Sequence, residues 1–350
     1  MPNLTVTHEQ LKATCKRLFM KAGVPDDEAD LVSEVLVTTE GWGVRSHGVM
    51  RVEHYIRCLL ARGIPPKAEL TVESEGPTWA AFDGNGGLGI VVSHRATNKA
   101  IELARASGIG IVTVNRSNHF GAAGYYSMMC AEAGMFGMSM SNVGKIMAVT
   151  GSSAKSIGNN PFAYAAPAGK HKAVMLDICM SKVADGKVQI ARDLGVPLSD
   201  GCIIDKHGRP SNDPLDYFNG GTLLPFGEYK GYGFAVLVEI LAGVLSGGEI
   251  IKNVSAWNKD PNKTGTTGHC FIAMDVSKMM PFMQFEQRME RMVDEILSAP
   301  KADDVERILY PGQLEMENAV KSRASGITLL ESCVTLLHKA AELVGDELDL

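Results

Sequence analysis

Residues 107–126 read SGIGIVTVNRSNHFGAAGYY, and the rest of the chain is organised around them. The first half, Ile109 to Val114, is short, apolar, rich in β-branched residues and preceded by a Gly-containing turn, so it reads as a buried strand. From about Ala122 the run AGYYSMMCAEAG reads as a helix. Asn115, Arg116, Ser117, Asn118 and His119 then fall where a strand hands over to a helix. In open α/β sheets that is where ligands bind. His119 adds a side chain that titrates near neutrality, flanked by Gly121, Ala122, Ala123 and Gly124, which leave room for a ligand. The same pattern also suits a His that caps a helix and an Asn that makes a turn.

Outward from this stretch the periodicity gives alternating strands and helices. Thr7 caps a first helix that ends at Gly23, and Asp26 or Asp27 opens a second. Ser46 caps a third running to about Arg62, with His47 in its first turn. On that helix His47, Arg51 and Tyr55 stand at i, i+4 and i+8, roughly one face. An imidazole, a guanidinium and a phenol on one face suit a small oxo or hydroxy acid, Arg51 gripping the carboxylate. A solvated polar face with a Ser–His cap is the alternative. Further strands are expected at Thr78–Asp83, Phe136–Ser141, Phe162–Ala166, Ala173–Ile178 and His269–Asp275. Ser181 is a candidate cap for the next helix. Tyr229-Lys230-Gly231 leads into a buried helix, and a last helix covers Thr328 to about Val344.

Residues 84–89, GNGGLG, match GxGxxG between a strand and a helix, the context of a dinucleotide fingerprint. The following strand, however, ends in Val114-Asn115-Arg116 and offers no carboxylate to a ribose. The run also begins Asp-Gly-Asn-Gly, the chemistry of a tight turn. Dinucleotide loop and Gly-rich turn both remain open on these residues.

Composition excludes several classes. A net charge of -6 without a basic block argues against nucleic acid. Seven scattered Cys with no CxxC read as reduced thiols of a cytoplasmic protein. Asn-x-Ser/Thr triplets at Asn3, Asn115, Asn253 and Asn262 read as chance matches, there being no signal-peptide pattern. The longest apolar run, Gly233 to Gly248, is short for a bilayer and contains Glu239, so it is expected to be a core helix and no membrane partner is implied. No metal-ligand spacing occurs.

Taken together, RSHGVMR, GIGIVTVNRSNHFGAAGYY, IGNNPFAYAAP, LDICMSKVADGK, PFGEYKGYG and LYPGQ resemble, in order, the malate/L-lactate dehydrogenase family of the non-Rossmann type. The resemblance spans nearly the whole chain. That family includes ureidoglycolate dehydrogenase, sulfolactate dehydrogenase, 2,3-diketo-L-gulonate reductase and a cyclic imino-acid reductase. It implies a mixed-sheet α/β fold, L-sulfolactate dehydrogenase-like, with an N-terminal helical region. It also implies a homodimer that uses NAD or NADP on a 2-hydroxy or 2-oxo acid, or reduces a cyclic imino acid with NADPH.

By motif, the resemblance places the cofactor against Met175, Leu176, Asp177, Ile178, Cys179, Met180 and Ser181. Tyr229, Lys230, Gly312, Gln313 and Leu314 follow, with Asn142 and Val143 beside them. It treats Gly84–Gly89 as a turn. It puts the proton-transfer His at His47 or His119 and substrate binding at Arg51 and Tyr55. Between the two, the strand-end position of His119 among small residues favours it as donor, and His47, at a helix start and biased toward neutrality, is the expected polariser. The chain then divides into a helical region carrying the SHG motif (1–75), a substrate-side α/β part (76–145), an NAD(P)-binding part (146–310) and a helical return (311–350). One departure stands out: many relatives have Gly-Thr-Asn-Pro where Gly158-Asn159-Asn160-Pro161 occurs here. A Rossmann-like nucleotide enzyme, resting on Gly84–Gly89 alone, and a dinucleotide-binding protein without catalysis are the readings from other classes.

Overall fold

The computed structural model describes residues 4–255 and 260–350, so the triplet at Asn3 lies outside the described residues. The chain opens with β1 (Leu4–Val6), α1 (His8–Lys21) and α2 (Asp26–Gly41). Thr7 caps α1 in a reciprocal box with Gln10, and Gly23 follows its end at φ 97°. Residues 45–51 form two 3-10 turns before α3 (Val52–Leu60). Next come β2 (Thr71–Gly76), β3 (Trp79–Asp83), α4 (Gly89–Ser107) and β4 (Ile109–Ser117). α5 (Ala123–Glu132), β5 (Met135–Ser141), β6 (Phe162–Ala168) and β7 (His171–Ile178) complete the first half.

The second half begins with α6 (Asp185–Leu194), β8 (Ile203–Ile204), β9 (Pro210–Ser211), α7 (Pro214–Phe218) and β10 (Thr222–Leu223). α8 (Tyr229–Val238) runs on into a π-helical stretch, Glu239–Val244. The chain then adds β11 (Thr267–Asp275), α9 (Phe282–Leu297), α10 (Gln313–Ser325), β12 (Ile327–Leu329) and α11 (Glu331–Leu343).

The main sheet has seven strands in the order β2-β3-β4-β11-β5-β6-β7. Only β3 and β4 are parallel; every other neighbouring pair is antiparallel. The mixed α/β architecture is therefore as the sequence implied. A late strand, β11, is inserted beside β4, so the strand leading to His119 is buried on both edges. One hydrophobic cluster joins α1, α2, α3, α4 and α11 to β4 and β11, through residues such as Phe19, Leu36, Ile56, Val91, Val114, Phe271 and Leu337. A second layer, Val238 and Ala242, packs on the opposite face against Met140, Cys270 and Ile272.

Four expectations need correction. Ser46 caps no α-helix, because residues 45–51 coil as 3-10 turns and α3 starts at Val52. Ser181 caps none either: α6 begins at Asp185 behind Ala184, and the Ser181 hydroxyl donates to the Val183 carbonyl at 2.7 Å. The first residues of the presumed last helix are instead β12, whose Leu329, Thr328 and Ile327 pair with β1. Finally, the Gly233–Gly248 run is covered on one side only, leaving Phe234, Leu237, Ile240, Val244 and Leu245 exposed. Among the described residues no helix is long and apolar enough to cross a membrane. Asn115, one of the glycosylation-type triplets, is 5% exposed and donates to Glu73 and the Ser246 carbonyl.

Glu239 opens the π-helical stretch. Its buried carboxylate accepts from Asn160 Nδ2 (2.8 Å) and the Ile251 amide (2.8 Å), with Asn142 Nδ2 at 3.4 Å. One acid therefore ties α8 to the ends of β5 and of the 158–161 loop. Removing it strands these donors away from water, at about 1–3 kcal/mol each when buried. Glu239→Ala should accordingly lose about 3 kcal/mol or more in urea unfolding. A midpoint unchanged from wild type would mean the three bonds carry no stability.

Candidate active site

His119 leaves the end of β4 and meets Tyr55 of α3. The Tyr55 hydroxyl lies 2.6 Å from His119 Nδ1, and the Gly121 amide approaches the same nitrogen at 3.4 Å. A backbone N–H can only donate, so Nδ1 is the accepting nitrogen of the resting ring and the proton sits on Nε2. The ring of His47 stacks on that of His119, centroids 5.4 Å apart. His47 Nδ1 in turn lies 2.8 Å from Ser46 Oγ. Arg51 is held by a bond from Nε to the Ser46 carbonyl at 2.7 Å. The two 3-10 turns thus bring His47 and Arg51 to Tyr55 and His119 by another route than one α-helical face.

The electrostatics follow from packing. His47, Arg51 and His119 keep some exposed surface, while Tyr55 is only 1% exposed. Burial followed by the Arg51 charge lowers His47 to about 3. Burial, then His47 and Arg51, hold His119 well below the usual imidazole range. Burial lowers Arg51 as well, offset by Tyr55 and by Asp185 at the start of α6. Burial raises the Tyr55 phenol. The resting site holds two neutral imidazoles, a neutral phenol and a guanidinium, a set suited to receiving an anion.

The segments expected to hold a cofactor also converge. Backbone bonds zip the exit of β7 to the loop before α8: Phe226 N donates to Met180 O (3.0 Å) and Lys182 N to Leu224 O (2.9 Å). This puts Cys179, Met180 and Ser181 beside the entry to Tyr229 and Lys230, both exposed. On the other side Gly312, at φ 87°, lies against Met175, whose amide donates to Pro311 O at 3.0 Å. A Cβ on Gly312 would sit 2.8 Å from Met175 N, so this approach needs glycine. It brings Gln313 and Leu314, the first turn of α10, alongside β7. Asp177 accepts from the Gly124 amide at 2.7 Å, and burial raises it to about 6. Leu176 and Ile178 occupy β7 opposite Tyr164 and Phe162.

Asn142 is differently placed. Its amide donates to Glu249 O (2.9 Å) and accepts from Gly268 N (2.8 Å), so its side chain is committed to internal bonds. Val143 N donates to Asn160 Oδ1 at 3.0 Å. At the position that departs from relatives, the Asn159 carbonyl accepts from Met180 N at 2.7 Å. A recess of about 690 Å³ between α4 and α5, lined by His94, Arg105, Tyr125 and Glu132, shares none of these side chains. Among the described residues no group of three or more His, Cys, Asp or Glu could hold a metal ion.

Two neighbours escaped the sequence reading. His269 of β11 is fully buried, stacks on Phe120 at 4.7 Å and lies 3.0 Å from Ser141 Oγ. Its strand alternation looked ordinary, and nothing local marked it. Glu40 of α2 reaches the 45–51 segment, and the signal was Gly48, whose lack of a side chain the contact requires.

The GNGGLG stretch is a turn. Gly87 N donates to Gly84 O (2.8 Å) across Asn85 and Gly86, both at positive φ. Gly84 N and Gly86 N donate to Asn115 O and Arg116 O, so the loop's amides are already spent. Arg116 itself pairs with Asp83.

Comparison with known proteins assigns the family. The profile of the malate/L-lactate dehydrogenase family matches residues 6–338. The malate dehydrogenase of Pyrococcus abyssi is 38% identical over 97% of this chain and 95% of its own. The solved malate dehydrogenase of Pyrococcus horikoshii superposes with a TM-score of 0.91 at 34% identity, covering 99% of this chain and 97% of that one. The sulfolactate dehydrogenase structure from Methanocaldococcus jannaschii gives 0.91 at 32% identity, with 98% of each chain covered. The fold is therefore that of a dehydrogenase. The chain belongs to the malate/L-lactate dehydrogenase family.

Gly86→Ala tests the turn. An Ala at positive φ costs about 1–2 kcal/mol, and its Cβ would meet Thr264 Cγ2 at 2.4 Å. The folded variant should bind NADH and NADPH within a few-fold of wild type by calorimetry. A loss of about a hundredfold would make the loop a phosphate cradle after all.

Proposed function

We propose that the protein catalyses reversible oxidation of a small 2-hydroxy acid to the 2-oxo acid. The observation that carries this reading is the packing of His119, Tyr55, His47 and Arg51 into one cluster. A nicotinamide cofactor, NAD or NADP, supplies the hydride chemistry. The residues fit such a group. The exposed Lys230 and the N-terminal end of α10 offer donors to phosphate or ribose, and Met175–Ser181 forms the wall between them. Asn142 and Val143 shape that wall from the end of β5.

Arg51 clamps the substrate carboxylate, fixing the reacting carbon. In oxidation the hydroxyl proton reaches His119 through Tyr55, the phenol giving its proton to Nδ1 and taking the substrate's, and in reduction both transfers reverse. Tyr55 serves both states, because its hydroxyl donates to an unprotonated Nδ1 and accepts from a protonated one. His47 polarises the carbonyl oxygen as charge builds on it. The exposed apolar face of α8 and its π-helical extension, centred on Leu237 and Ile240, is the surface on which we place a second copy, giving a homodimer. The domain division drawn from the sequence puts the substrate side at 76–145 and the cofactor side at 146–310, and we retain it with a cytoplasmic setting.

A panel of 2-oxo acids and cyclic imino acids, followed by NADH and NADPH absorbance, tests the reading; no turnover of any would reject it. On the substrate so found, His119→Ala should lose at least about a hundredfold in kcat, with cofactor affinity kept. His47→Ala should fall similarly in kcat and kcat/KM together. Arg51→Lys should chiefly raise KM, since it loses the bidentate grip. Wild-type kcat in both His variants would end the acid–base mechanism. Lys230→Ala should weaken NAD(P)H binding, and unchanged calorimetric affinity would remove that loop from the cofactor site.

The pH dependence has a definite sign. A depressed His119 is already in its base form above its lowered pKa, so kcat/KM for oxidation should keep its plateau below pH 6.5. An acid limb centred at or above 6.5 in kcat/KM would assign the proton to another group.

A further inference from the structure

Glu40 stands at the end of α2 and turns toward the segment that carries His47 and Arg51. Its Oε2 accepts from the Val49 amide at 3.1 Å, and the residue is 4% exposed. Gly48 permits the approach, because a Cβ there would sit 2.1 Å from Oε2. Val49 is two residues from His47 and two from Arg51, so one anchored amide governs both. The Val49 side chain is buried in the core, but the segment has few backbone bonds. Its own bonds are those of single 3-10 turns, His47 N to Val44 O, Gly48 N to Arg45 O and Arg51 N to Gly48 O. Such geometry is weaker than an α-helical ladder.

A carboxylate is a poor choice for stability here. It is buried, and it sits at the negative end of the α2 dipole. Burial pushes its acid up to about 7, against the pull of the Val49 amide and of Arg45. The charged and titratable groups facing it are Arg45 from the 3-10 segment, Cys15 from α1 and Cys333 from α11. Burial raises both thiols, which stay neutral. A neutral Gln would fill the same space at lower cost, so stability alone does not account for the charge.

We propose that Glu40 is a positioning residue of the substrate site, its ionised carboxylate holding Val49 and thereby the spacing of His47 and Arg51. This rests on the assignment of those two residues to the substrate site. Function and stability then pull in opposite directions. Because the folded pKa lies above the ordinary 4.5, stability contributed by protonated Glu40 is full below 4.5 and is lost as pH rises through about 7. The tether gains strength over the same rise.

Glu40→Gln, compared with wild type at about pH 8 and about pH 6, separates the two effects. At the higher pH, KM for the 2-oxo acid should rise about five- to tenfold, the scale of a charge-assisted hydrogen bond exchanged for a neutral one. The fall in kcat should be smaller, and Tm should be equal or higher. At the lower pH the two proteins should converge in KM. An unchanged KM, a KM ratio equal at both pH values, or a variant that is unfolded or has a lower Tm at the higher pH would each overturn the proposal. Arg51→Lys run in parallel distinguishes the failures. If it leaves KM unchanged, the site assignment falls. If it raises KM while Glu40→Gln does not, only the positioning role falls.

Discussion

Close approach of backbone to backbone at the exit of β4 is the constraint on which the site depends. A Cβ on Gly89 would lie 2.2 Å from Asn118 O and 2.4 Å from His119 O, and one on Gly265 would lie 2.1 Å from Asn118 Oδ1. Both positions must be glycine for the chain to pass. Asn118 then donates to Gly86 O (2.7 Å) and Gly87 O (3.0 Å), binding the glycine-rich turn to the strand exit. The glycines that imitate a dinucleotide loop thus serve packing instead, being small enough to press His119 into place.

That fixed loop receives the N-terminal helices. Tyr55 reaches His119 across 64 positions of sequence, and α3 packs on α11 near the end of the chain. The chain ends are tied in turn: β1 pairs with β12, and Arg17 bonds Asp346 and Asp349. Helices that carry half the site are therefore held by both the core cluster and the C-terminal return. Cofactor-side segments are held differently, by backbone bonds between β7, the loop before α8 and Pro311, with Glu239 bracing the opposite side. The residues proposed for substrate and those proposed for cofactor meet near the start of α5, where His119 and Gly124 are five residues apart and Gly124 bonds Asp177.

The sequence made β4, the following turn and α5 legible because periodicity and glycine both spoke locally. The strands β3, β5, β6, β7 and β11 were legible for the same reason. β1 and β12 were not: each is three residues long and exists only because the other is there. The grouping of His47, Arg51 and Tyr55 is visible in the sequence, but for a geometric reason that fails, since 3-10 turns replace the first turns of the supposed helix. The exposed face of α8 was not legible, because an apolar run looks the same whether its outer face is covered by its own chain or left open. Cofactor segments could be named only through resemblance, since Met175, Lys230 and Gly312 are brought together by tertiary bonds and no local pattern joins them. Glu40 looked like one more acid on an amphipathic helix.

The charge arrangement finally imposes an order on the proposed chemistry. Two unit charges at the 5.4 Å separation of the His47 and His119 rings repel by about 3 kcal/mol at an effective dielectric near 20. That is about two pKa units, so the neutral pair takes up one further proton at most, and Arg51 discourages even that one. In the proposed reaction a substrate carboxylate on Arg51 cancels that opposing charge. The same carboxylate that fixes the carbon therefore raises the affinity of His119 for the proton that reduction consumes. In the free enzyme His119 stays neutral and ready for oxidation; with the oxo acid bound it becomes easier to load. Tyr55 can follow that change by reversing its hydrogen bond without moving. Binding and proton loading are thus linked through one guanidinium, and the 3-10 segment that carries Arg51 must hold its place against α2 for that link to operate.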